Sequence, residues 1–156
     1  MKHNSIQSKT LFHVLADEER LRIVRLLAAS RKEACLCELV DSLLEPADKL
    51  SSHLIILCQA SLLLPSTDRQ WVYYRLALKP SYLEMLYKTI LMLPDPDRVY
   101  KTDLKRFDER TCMRDLGGRC RVSILTDNFK EKKTNGLSAY ASIDVRQTAS
   151  AQAPDI

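Results

Sequence analysis

The stretch LSSHLIILCQASLLLPSTDRQWVYYRL, residues 50–76, changes its hydrophobic period halfway along, and that change decides the fold. Leu50, Leu54 and Leu57 fall at i, i+4 and i+7, one face of a helix that begins near Ala47. Around them Lys49, Ser51, Ser52 and His53 supply a polar surface of hydrogen-bonding groups. From Leu62 the period drops to two. Leu62–Pro65 and Trp71–Leu76 are rich in strand formers and flank the polar Ser66–Gln70, which predicts a hairpin.

Upstream, Leu11, Phe12 and Leu15 give a short first helix over residues 8–15. Asp17 followed by Glu18 and Glu19 reads as the acidic start of a second helix, about residues 18–29, with Leu21, Ile23, Val24, Leu26 and Leu27 on its apolar side. A third, from about 35 to 44, carries Leu36, Leu39, Val40 and Leu43, and Glu45-Pro46 marks the turn before the Leu50 helix. Two helices joined by so short a turn make a helix-turn-helix candidate.

Downstream, Pro80-Ser81 opens a fifth helix with Tyr82, Leu83, Leu86, Tyr87, Ile90 and Leu93, stopped by Pro94. It is more apolar than a small domain needs, so part of it is read as a subunit interface. Asp95-Pro96-Asp97 restarts a sixth helix to about Asp115, ended by Gly117-Gly118. Three segments are expected: a winged helix-turn-helix unit over 1–94, a helical extension with two cysteines over 95–120, and a disordered tail over 121–156.

At 156 residues the chain suits one domain and a tail, mainly α with a small β-hairpin, and 46% hydrophobic residues suffice for a core. Net charge +4 is compatible with nucleic acid without being diagnostic. No apolar run is long enough to span a membrane, and MKHNSIQSKT lacks the apolar core of a signal peptide, so a cytoplasmic protein is expected. Its five cysteines, an odd number, then read as free thiols or metal ligands. A thiol enzyme is disfavoured, because there is no CxxC after a strand and no βαβ pattern.

Cys35 and Cys37 lie two residues apart in EACLCEL, residues 33–39. As residues alone they fit either a pair of small packing cysteines or soft-metal ligands. Arg31, Lys32 and the positive end of the helix favour thiolate, and Glu38 opposes it. On an intact helix their sulfurs sit about 200° apart, so one ion bridges them only if the first turn unwinds.

Taken together, LFHVLADEERLRIVRLL, EACLCEL, LSSHLIIL and LLLPSTDRQWVYYRL resemble the ArsR/SmtB family of metal-sensing repressors, its arsenite-responsive branch in particular, over residues 10–93. The resemblance implies a homodimer, paired through the first and fifth helices, that binds a palindromic operator and lets go when As(III) or Sb(III) binds. It makes Cys35 and Cys37 the inducer thiols, puts Lys49, Ser51, Ser52 and His53 on the helix that enters the major groove, and makes Arg69 and Gln70 part of the wing. The chain departs from the branch at Val40, where a third cysteine is common, at Ser52, where a basic residue is frequent, and at Ser61, where glycine is usual. Cys58, Cys112, Cys120 or a solvent thiol are left as the third ligand. Cadmium or lead sensing and thiol oxidation are the competing readings. The zinc pattern of the other branch is absent, since residues 81–93 hold no histidine.

Overall fold

The computed structural model describes residues 7–117. Cys120, Gly118 and the tail over 121–156 lie outside the described residues. Helix α1 (Ser8–Leu15) buries Leu11 and Val14, and α2 (Glu18–Ser30) buries Ile23, Val24, Leu26 and Leu27. Asp17 caps α2, its carboxylate accepting from the Arg20 N–H at 3.0 Å. Strand β1 (Ala34–Cys35) leads directly into α3 (Leu36–Leu43). Then come α4 (Ala47–Gln59), β2 (Leu63–Asp68), β3 (Trp71–Leu76), α5 (Tyr82–Leu91) and α6 (Val99–Gly117). This is the order of a winged helix-turn-helix domain.

The core is where the apolar stripes meet. Leu39 and Leu43 from α3, Leu50, Leu54 and Leu57 from α4, and Ile23 and Leu27 from α2 are all fully buried in one cluster. At Ser61 the chain leaves α4 with φ 57°, the left-handed geometry that glycine adopts freely and that costs another residue about 1 kcal/mol.

Two expectations need correcting. The third helix begins at Leu36, so Cys35 is its N-cap in extended geometry (φ −88°, ψ 166°) and belongs to a strand. The sheet has three antiparallel strands in the order β1-β3-β2, with Ala34 opposite Tyr74 and Cys35 opposite Tyr73. A two-residue strand has no period to read. The hairpin is also longer than expected, with β2 running through Ser66, Thr67 and Asp68 to a turn at Arg69 and Gln70.

Helix α6 packs along α2 and α3, and polar groups hold it there. Phe107 is its one large apolar side chain that is fully buried among the described residues; Asp103, Arg110 and Thr111 are buried beside it. Arg22 of α2 forks onto Asp103 at 2.9 and 3.0 Å, and Arg106 reaches Asp103 at 2.7 Å and the Ser42 carbonyl at 2.6 Å. Arg110 pairs with Asp41 of α3 at 2.8 Å. At its start Asp95 accepts from the Tyr100 and Lys101 N–H groups, and Arg25 lies over the Tyr100 ring at 4.1 Å. Among the described residues no helix is long and apolar enough to cross a membrane.

Candidate metal centre and nucleic-acid interface

The thiol pair straddles the junction of β1 and α3. Cys35 is 1% exposed and packs on Tyr73, with half-buried Cys37 and Trp71 against them. A capping box ties the junction: the Cys35 side chain faces the Glu38 N–H, and the Glu38 carboxylate accepts from the Cys35 N–H at 3.0 Å. Glu38 itself is fully buried, and burial pushes its carboxyl above the usual range against the pull of the Cys35 N–H and of Arg114. Its Oε2 is 3.3 Å from Arg114, while Oε1 has no hydrogen-bond partner among the described residues. The sulfur donors suit a soft ion, since thiolate is the ligand that such ions select.

The other thiols are placed less favourably. Cys58 sits half-buried on α4, and burial pushes its thiol up to about 11. Cys112 is exposed on α6. It lies two residues from both Arg110 and Arg114, hence about 200° around the helix from the side chains that face α3.

On α4 the residues opposite the leucine stripe are Asp48, Ser52, Ile55 and Gln59, all exposed. Of the residues expected to contact DNA, Ser52 lies on this stripe and Lys49 on its flank. Ser51 is half-buried, with its hydroxyl lacking a hydrogen-bond partner among the described residues. His53 turns inward: its side chain is 13% exposed and its Nδ1 lies 3.7 Å from Asp17 at the start of α2. Lys49 is paired with Glu19 and, at 3.2 Å, with Glu45. Asp17, Glu19 and His53 converge, and the Lys49 ammonium supplies the positive charge on that side. Arg69 and Gln70 are exposed at the hairpin tip, Arg69 with φ 56°. Ile55 and Gln59 escape a reading by neighbourhood, but their spacing from Ser52 marks them.

The chain is 45% identical over 67 residues to the arsenical resistance operon repressor of Escherichia coli, a match covering 43% of this chain and 56% of that protein. It is 44% identical over 82 residues to the arsenic resistance transcriptional regulator ArsR2 of Pseudomonas putida, covering 51% of this chain and 70% of that protein. For ArsR1 of the same organism the figures are 38% over 82 residues, 52% and 63%. These matches thus span between about half and about two thirds of the relatives' length. Among solved structures, HlyU from Vibrio cholerae aligns at 28% identity with a TM-score of 0.47, over 57% of this chain and 97% of that one. No protein-family model matches.

Proposed function

The chain belongs to the ArsR/SmtB family, that of the arsenical resistance repressors, and from this premise we propose that it is an arsenic-responsive transcriptional repressor of the cytoplasm. In this reading it holds operator DNA as a homodimer and releases it when Cys35 and Cys37 capture arsenite or antimonite. The observation that carries it is the position of the thiol pair, at the start of a helix that packs against the helix presenting Ser52.

Each arsenic–sulfur bond forms as a thiol gives its proton to a hydroxyl of arsenite, which leaves as water; no oxidant or reductant is needed. Cys35 already stands outside the helix, so capture requires no unwinding of a full turn. It requires the Cys35 sulfur to leave the Glu38 N–H and its buried place beside Tyr73. Loss of an N-cap contact costs about 1 kcal/mol, small beside two metal–sulfur bonds. The displacement has two outlets. Through α3 it reaches α4, and through the Cys35–Tyr73 pairing it reaches β3, which starts at the wing. A coupling of about 1–3 kcal/mol between the sites lowers operator affinity about 5- to 150-fold.

For DNA, Ser52, Ile55 and Gln59 form the face offered to the major groove, with Lys49 and Ser51 at its edges and Arg69 and Gln70 at the wing reaching phosphate or minor groove. His53 supports this surface from behind, through Asp17. The exposed Phe12 of α1 and Tyr82 and Met85 of α5 are the apolar surface a second copy covers, and a two-fold dimer calls for a palindromic operator. A third sulfur comes from Cys58, Cys112, Cys120 or a solvent thiol.

A gel shift with the promoter upstream of its own gene tests the reading. Wild type binds and is released by arsenite, whereas Cys35→Ser/Cys37→Ser binds and stays bound. Release of the double variant by arsenite, or release of wild type by cadmium alone, overturns it.

A further inference from the structure

With Cys35 only 1% exposed, an ion from solution reaches its sulfur only after something moves. A side chain from outside the winged-helix unit, Arg114 of α6, ties the groups that enclose it together. The Arg114 guanidinium touches Glu38 Oε2 at 3.3 Å, the Glu33 carbonyl at 3.4 Å and the face of Tyr73, 5.3 Å from the ring centroid. These three partners are the residue that holds the Cys35 N–H, the residue two before Cys35, and the residue opposite Cys35 in the sheet. A planar guanidinium suits the task, because it bonds oxygen at its edge while stacking an aromatic ring on its face.

We propose that Arg114 is a positioning residue of the thiol site: it latches the end of α6 across the β1–α3 junction and so sets how readily a soft ion reaches Cys35. The proposal rests on the reading of Cys35 as an inducer thiol, and its own consequence is visible without any inducer. With the latch closed, Glu38 and Tyr73 are held around Cys35. With it open, the α6 terminus no longer braces the junction, and Cys35 is uncovered more often.

The test measures alkylation of Cys35 by iodoacetamide in the full-length, metal-free protein, followed residue by residue with mass spectrometry, alongside the arsenite concentration that releases half the promoter DNA. Because hydrogen bonds to charged groups are worth more than neutral ones, Arg114→Ala is expected to raise the Cys35 rate about tenfold. The half-releasing arsenite concentration falls with it. Arg114→Lys, which keeps the charge and loses the planar fork, falls between the two. Arg106→Ala, which loosens α6 near Ser42, leaves the Cys35 rate near wild type. The latch is overturned if Arg114→Ala reacts like wild type, or if Arg106→Ala rises as much. Should the alanine variant not fold, the lysine variant decides alone: a rate above wild type supports the latch and an unchanged rate overturns it. If arsenite releases DNA from no variant, the repressor reading fails while the latch is still judged by alkylation.

Discussion

Asp103→Asn removes one negative charge from the place where α6 meets α2 and α3. Asp103 is 1% exposed and accepts three charge-assisted bonds, two from Arg22 and one from Arg106. Breaking a buried pair by removing one partner costs about 3–5 kcal/mol, mostly for the charge left behind. Here Arg22 keeps Glu45 at 3.1 Å and the Leu43 carbonyl at 2.8 Å, and Arg106, with 28% of its side chain exposed, can turn to water. The loss therefore belongs at the low end, about 3 kcal/mol. That lowers the midpoint of thermal unfolding by about 10 °C for an ordered region of this size. Urea unfolding followed by circular dichroism measures the free-energy loss, with Glu109→Gln as control. Glu109 and Lys105 form an exposed pair at 3.9 Å, so the control loses less than about 0.5 kcal/mol. A loss under about 1 kcal/mol for Asp103→Asn would refute the packing of α6 on α2 and α3 through Asp103.

Other outcomes follow from the same contacts. Burial lifts Cys58 from 9.0 to about 11, so its thiolate at pH 8 is scarcer than that of an ordinary cysteine by about a hundredfold, and mass spectrometry should find it alkylated correspondingly slowly. Cys58 and Tyr74, the latter pushed to about 12, hold their protons more tightly folded than unfolded; stability is thus fully present below about pH 9 and is lost as pH climbs through these values, which denaturant melts between pH 8 and 11 will register. Gln59→Ala is expected to weaken operator binding in an anisotropy titration while leaving the melting temperature within a degree or two, since Gln59 is exposed on the face proposed to meet DNA. Met85→Glu places a charge on the exposed apolar face of α5, and the proposed dimer is expected to sediment as a monomer in this variant.

The apolar helices were legible in the sequence because burial of a leucine stripe leaves a period. Residues 8–15 form α1 as expected, and α2 ends at Ser30, one residue past its expected end. The wing followed from the switch of period after Leu62. Helix α6 was foreseen as a helix but not as a partner of α3, because its buried face is Asp103, Arg110 and Thr111 around a single Phe107, and a polar stripe looks like a solvated one. The strand at Ala34–Cys35 is fixed by its pairing with Tyr73 and Tyr74, a contact some forty residues away that no local pattern announces. Lys49 and Ser51–His53 are consecutive in the sequence, whereas the exposed face of α4 opposite Leu50, Leu54 and Leu57 repeats every three to four residues as Ser52, Ile55 and Gln59.

Everything in the proposed switch turns on Cys35 leaving its cap and its place opposite Tyr73 when an ion arrives. Amide hydrogen exchange read with and without one equivalent of arsenite, after a thiol titration has shown Cys35 and Cys37 consumed, measures this at the residues concerned. Protection should be lost at Glu38 and along the β1–β3 pairing, with the core of α2 unchanged. Full protection of both with the ion bound would contradict the proposed switch.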